Sequence, residues 1–333
     1  MASPDRKAVW ADSVDHEVAY WDRTISKNVG AFQWRYRRPK PANDLLPGLV
    51  DLVADDKAAI LDVGCGPAPV VIGNYSKPVE ITACDPLADL YNELLSKHGV
   101  DPSVQLTACE GEALVDTFGE NGFDIVHIQN ALDHSYQPVD VVRSMLRCAK
   151  PGGVVVIKTL IETGKYEDYH GLHQWDILPG ASDFYIRHRD GETTGMAEAL
   201  GDDVELLLSG VHVSGSGAST QEWLNLAIVK RGGTGEPSEQ AERLKEIEAH
   251  FFKTLIAMGR ALADQVAAAA SSGPEQKKLA EQVENLKKRE ADLRASTSFQ
   301  LGRAFAEARS PGKLVALPGR VISIVRARGR KTA

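Results

Sequence analysis

The stretch that decides the fold is Ala59-Ile-Leu-Asp-Val-Gly-Cys-Gly-Pro67. It is a short apolar run that ends in an acid and then breaks into two glycines. A buried strand running into a tight turn reads this way. Glycines there let backbone N–H groups approach a ligand closely, and the turn favours anionic groups. A dinucleotide fingerprint requires a third glycine. Here Gly64 and Gly66 are followed by Pro67, Ala68 and Pro69, so the pattern fails at its last position.

Four further stretches follow in order. Glu80-Ile-Thr-Ala-Cys-Asp85 is a second apolar run ending in an acid, placed where a carboxylate accepts ribose hydroxyls. Val104-Gln-Leu-Thr-Ala-Cys109 ends in Glu110-Gly111-Glu112, and Phe123-Asp-Ile-Val-His-Ile-Gln-Asn130 ends in polar residues. Lys150-Pro-Gly-Gly153 leads into Val154-Val-Val-Ile-Lys-Thr159. Strand-like runs alternate with helical stretches from Leu45 to Arg231, and the last strand is expected at Trp223–Lys230. This alternation predicts an α/β fold, a mostly parallel sheet with helices on both faces and ligands at the carboxyl ends of the strands.

In series, these stretches resemble the class I S-adenosylmethionine-dependent methyltransferases over roughly residues 45–232. The resemblance implies a Rossmann-like sheet and S-adenosyl-L-methionine as cofactor. It makes Asp62, Gly64, Cys65 and Gly66 the cofactor loop. Asp85 becomes the ribose acid, with Pro86 and Leu87 near the adenine. Glu110 and Gly111 become the adenine edge, with Glu112 as the rival of Glu110. Asn130-Ala-Leu-Asp133-His134 becomes the loop beside the methyl group.

Methyl transfer to a hydroxyl needs a base, and histidine is the side chain best poised for that near neutral pH. His134 is the first candidate, His173 its rival, and Asp133 the residue to orient a histidine, act as base or help hold a divalent ion. No metal-ligand set is visible in the sequence. After the fifth strand, His170-Gly-Leu-His173-Gln174-Trp175 is expected over the acceptor, with Trp175 stacking on a sugar ring while Gln174 and His173 bond its hydroxyls. Tyr185-Ile-Arg187-His188-Arg189 would add cationic contacts. Arg35, Arg37 and Arg38 are placed to reach a carboxylate or phosphate, or else form a solvated basic surface.

The chain has 333 residues, 43% hydrophobic and 25% charged, with a formal net charge of −8. No apolar run approaches the ~20 residues of a membrane-spanning helix, and no signal-peptide pattern opens the chain. The four cysteines offer no metal-pair spacing, which suits buried, reduced thiols in a cytoplasmic protein.

Residues 1–44, rich in aromatics, are expected to form a helical lid over the methyltransferase domain at 45–232. Within 236–296, Leu244, Ile247, Phe251, Leu255, Met258, Leu262 and Val266 recur at spacings of 3 and 4, and Leu279, Val283, Leu286 and Leu293 follow. That stripe predicts a helical coiled coil and a homo-oligomer, with a helix packed back on the catalytic domain as the alternative. Residues 297–333 form a basic amphipathic tail with eight basic residues and one acid after Leu301, net +7 against −15 elsewhere. It suits an anionic membrane surface, and its start resembles tails of bacterial surface-polysaccharide assembly enzymes. RNA is disfavoured, because only Phe299 and Phe305 could stack on bases there. The function these features point to is O-methylation of a glycan or glycolipid sugar on the inner face of a bacterial membrane. A small-molecule O-methyltransferase and a cofactor-binding scaffold with little catalysis are the alternatives.

Overall fold

The computed structural model describes residues 5–180, 183–214, 221–232 and most of 242–257. In chain order, α1 (Arg6–Lys27) and α2 (Val29–Arg35) precede α3 (Leu46–Asp51), β1 (Ala58–Val63) and β2 (Val79–Asp85). Then come α4 (Ala88–Lys97), β3 (Leu106–Ala108), α5 (Leu114–Phe118), β4 (Phe123–Gln129), α6 (Pro138–Cys148) and β5 (Ala149–Leu160). The remaining elements are α7 (Thr163–Tyr166), β6 (Trp175–Pro179), β7 (Phe184–His188), β8 (Thr193–Gly195), α8 (Met196–Leu200), β9 (Val204–Ser214) and β10 (Gln221–Lys230).

The main sheet has the order β3-β2-β1-β4-β5-β10-β9. The five strands β3 to β5 pair in parallel, while β10 runs antiparallel to β5 and β9 antiparallel to β10. β1 is buried at every position but Ala59, as a central parallel strand covered on both faces must be. The chain order reverses between β1 and β4. At such a switch point the two neighbouring loops diverge and leave a crevice at the carboxyl ends of the strands.

Each sheet face has its own core. On one, Val141, Val142, Met145 and Leu146 of α6 pack against Val126, Ile128 and Val155. Their helical spacing puts the four side chains on one face of α6. On the other, α3 contributes Leu46, Leu49 and Val50 against Ile60, Ile125 and Val156. Trp21 and Ile25 of α1 and Phe32 of α2 pack on Leu87 and Tyr91.

Two expectations change. The stretch after β5, expected over the acceptor, contributes β6, β7 and β8 to a second, antiparallel sheet. The beginning of the expected coiled-coil stripe is docked: Ile247 and Phe251 are buried against α3 and the sheet. Arg243 also donates to the carbonyls of Leu52 at 2.6 Å and Gly152 at 3.2 Å. Burying a side chain the size of Phe251 favours this docking by about 1.5–3 kcal/mol, so the first turns of the stripe are no open seam. The later stripe positions and the 297–333 tail lie outside the described residues. Among the described residues, no helix is long and apolar enough to cross a membrane.

Candidate active site

The glycine turn after β1 is held from two sides. Gly64 and Gly66 both sit at φ +58°, a region that a side chain strains. A Cβ on Gly64 would lie 2.6 Å from the Ala131 Cβ. The Gly66 N–H donates to Asp85 Oδ2 at 3.0 Å, so the end of β2 fixes the turn at the end of β1. Beneath the turn, Asp62 is fully buried and does not line the cavity above. Its Oδ2 accepts from the Val70 N–H at 3.0 Å, and its Oδ1 accepts from His127 Nδ1 at 2.7 Å. His127 Nε2 in turn accepts from Asn43 Nδ2 at 3.2 Å. Asp62 is thus a loop-orienting residue.

Above the turn lies a cavity of about 490 Å³. Gly64, Cys65, Gly66, Asp85, Pro86, Glu110, Gly111, Asn130 and His134 all line it, so most of the residues expected at the cofactor converge on one space. Asn130 takes φ +52°, and its Oδ1 is buried with no hydrogen-bond partner among the described residues. An orphaned buried acceptor of this kind calls for a donor from a ligand.

Asp85 is also buried, and burial pushes its carboxyl up to about 6 despite donation from the Gly66 and Leu87 N–H groups. A ligand hydroxyl that donates to this carboxylate favours its ionised form. With such a ligand, S-adenosylhomocysteine for one, affinity is expected to fall as pH drops through 6, approaching about tenfold per pH unit below it. Calorimetry at pH 5 and 7 measures the change, and Asp85→Asn is expected to abolish it.

Glu110 is claimed from the other side. Its Oε2 accepts from Lys7 Nζ at 2.8 Å and from the Tyr136 hydroxyl at 2.6 Å. Burial opposes ionisation of Glu110, but these two bonds outweigh it and lower its pKa. Its rival Glu112 lines the same cavity and accepts instead from the backbone N–H groups of Tyr136 and Gln137.

At the end of β4, a short turn over Leu132–His134 brings the candidate bases together. His173 Nδ1 stands 2.7 Å from Asp133 Oδ2 and 3.1 Å from His134 Nε2. The His173 Nδ1 proton goes to the carboxylate, the shorter of the two contacts. Asp133 is fully buried. Burial resists its charge, but the two histidines outweigh that and lower its pKa. Burial also opposes charge on His173, and Asp133 overrides it and raises the histidine's pKa. The same three donors lie within 4.8 Å of one another and are of the kind that bind divalent metals, a ligand set that the sequence did not reveal.

Residues 61–157 match the family model described as a methyltransferase domain. The ubiquinone biosynthesis O-methyltransferase of Alkalilimnicola ehrlichii is 29% identical over 213 residues, covering 57% of this chain and 83% of that one. The protein of the same name from Pseudomonas entomophila is 31% identical over 160 residues, covering 44% of this chain and 64% of that one. This chain is an S-adenosylmethionine-dependent methyltransferase. Among solved structures it is similar to the 1,6-didemethyltoxoflavin-N1-methyltransferase of Burkholderia thailandensis with bound 1,6-didemethyltoxoflavin and S-adenosylhomocysteine. The TM-score there is 0.38 at 16% identity, covering 70% of this chain and 92% of that one.

The cradle fits the cofactor: glycines that leave the backbone bare, a buried acid at the end of β2, and the unpartnered Asn130 oxygen. In this methyltransferase, Gly64, Gly66, Asp85, Glu110 and Asn130 would hold it.

Several residues expected over the acceptor are placed elsewhere. Trp175 begins β6, is buried, and donates its indole N–H to the Ser135 carbonyl at 2.9 Å. Its ring also carries the Arg6 guanidinium, 4.8 Å from the centroid, so it is not free to stack on a sugar. Gln174 is bonded on both sides, donating to the Gly171 and Tyr169 carbonyls and accepting from Arg189. His170 is exposed and rests edge-on against His16 of α1. None of these three lines the large cavity. Arg187 is bound to Asp176 and Glu162, and Asp176 also accepts from the Tyr169 hydroxyl. The polar cluster after β5 therefore largely holds its own fold.

His127 was not singled out from the sequence. Its signal was present, because a histidine inside an apolar strand needs a polar partner, and the register sets it beside Asp62.

Proposed function

We propose that this methyltransferase acts on a hydroxyl oxygen of an aromatic small molecule, with His134 as general base. The observation that carries the reading is the His134–His173–Asp133 cluster, with His134 at the cavity wall. His134 takes the acceptor's hydroxyl proton. The imidazolium that results faces the buried Asp133 carboxylate at 3.7 Å, which stabilises it. When bound, S-adenosylmethionine supplies the methyl carbon that the acceptor oxygen attacks. The chain's part is to orient the oxygen, remove its proton and exclude water, for which α1 covers the cavity through Trp10, Glu17 and Trp21.

Trp10, Trp34, Trp223 and Leu172 give the cavity an aromatic, apolar wall that suits a planar ring. The two relatives' names, which specify O-methyl transfer, support an oxygen acceptor. A glycan or glycolipid hydroxyl at a membrane face is the second reading, favoured by the +7 tail. Self-association through residues 236–296 and seating of 297–333 on an anionic surface remain proposals from the sequence.

The deciding assay follows S-adenosylhomocysteine release with catechol and with free monosaccharides, before and after exhaustive chelation. Turnover on catechol, unchanged by chelation, is the expected result. Turnover on sugars alone would transfer the site to the glycan reading. A loss on chelation that a divalent ion restores would make the histidine cluster a metal site.

A further inference from the structure

The end of α2 carries a feature that proton removal does not use. Arg35 and Arg38 both line the cavity, beside Trp34, Ala42 and Pro67. Arg38 is 9% exposed. Its Nε donates to the Arg35 carbonyl at 3.1 Å, which orients the guanidinium, and among the described residues its terminal nitrogens make no hydrogen bond. The guanidinium also sits 5.7 Å from the centroid of the Trp34 ring, while that of Arg35 lies 4.5 Å from the centroid of Phe32. Among the described residues neither side chain forms an ion pair, whereas the exposed Arg37 between them pairs with Asp101 at 3.5 Å.

Arginine stays charged when buried and carries a donor fork that matches a carboxylate or phosphate. Burial weighs against both charges, and on Arg38 the neighbouring Arg35 adds to that burden. Asp62 acts on Arg38 from a distance, but among the described residues no ion pair balances the two like charges held side by side and facing the cavity. The segment is also anchored, because the Tyr36 hydroxyl donates to the Pro67 carbonyl at 2.8 Å beside the glycine turn.

We propose that Arg38 and Arg35 form an oxyanion subsite that seats a carboxylate or phosphate of a ligand in this cavity. The inference rests on the reading of the cavity as the methyl-transfer site only for the ligand's identity. That oxyanion is either the carboxylate of the cofactor's methionine end or an acidic group on the acceptor.

Calorimetry on the full chain separates the two sources. S-adenosylhomocysteine carries the carboxylate, and 5′-methylthioadenosine lacks it. If the cofactor is the source, Arg38→Gln weakens the first by about tenfold or more and leaves the second unchanged. If the acceptor is the source, Arg38→Gln leaves both unchanged. In that case wild-type protein saturated with S-adenosylhomocysteine binds benzoate or inorganic phosphate at millimolar concentration, and the variant does not. Arg38→Lys, which keeps the charge but not the fork, restores part of either effect. Should Arg38→Gln fail to fold, Arg35→Gln, at a less buried position, carries the same comparison. No change in any of these affinities would overturn the subsite. Absence of S-adenosylhomocysteine binding by the wild type would count against the methyl-transfer reading instead, with phosphate binding still deciding the subsite.

Discussion

His134→Ala is expected to lower kcat by about a hundred- to ten-thousand-fold, the usual contribution of a general base. Affinity for S-adenosylhomocysteine should change little. His173→Ala should cost less, since that ring acts on His134 from behind. The pH profile separates these roles. A base must be neutral to accept a proton, so activity rises with pH along an acid limb. The Asp133 carboxylate favours the protonated form of His173, so Asp133→Asn should lower the pKa of that ring. The same pair affects stability. The raised pKa of His173 contributes fully below its ordinary 6.5 and fades as pH climbs through the raised value. The lowered pKa of Asp133 contributes above its ordinary 3.8 and fades as pH falls through the lowered value. Thermal melts should thus show the pair's effect strongest between those two ordinary values, and Asp133→Asn should flatten it. A His134→Ala enzyme of wild-type rate would remove the base assignment.

Asp62→Ala should be the most destabilising change at the site. The substitution leaves the His127 Nδ1 proton and the Val70 N–H buried without acceptors, and it loosens Asn43 beyond them. Removing one member of a buried charged network costs about 3–5 kcal/mol, which for a domain of this size lowers the melting temperature by about 10 °C. Because Val70 follows the glycine turn, cofactor affinity should fall as well. His127→Ala should reproduce much of the loss of stability. A melting temperature within a degree or two of wild type would show that the network does not hold the turn.

The cofactor side was legible because its residues sit where strands end. An apolar run closing on Asp85 or Glu110 marks both the strand and the edge of the cavity, one closing on Asp62 marks the strand and the turn beyond it, and the two glycines require a bare backbone. The acceptor side was not legible in the same way. Trp175 reads alike as a stacking platform or a core residue. The alternation of Trp175 with Ile177, and of Phe184 with Ile186, marks inward-facing strand positions, but it lies in a segment dense with polar residues. The convergence of His134, His173 and Asp133 depends on how the segment after β5 folds back over the end of β4, which no local pattern specifies. The docking of Ile247 and Phe251 was legible only as the alternative to a coiled coil, because an apolar stripe does not name its partner.

The contact between Gly64 and Ala131 constrains how this enzyme can change over generations. Gly64 belongs to the turn after β1 and Ala131 to the loop that leads to His134, and a side chain at position 64 would need the room that Ala131 fills. A larger residue at position 64 collides with Ala131. Trimming Ala131 to glycine would free space for a side chain at position 64 but would leave its backbone at φ +58°. The two loops therefore form one heritable unit, and a new acceptor specificity grafted onto residues 130–134 must bring a compatible turn at 62–66 with it.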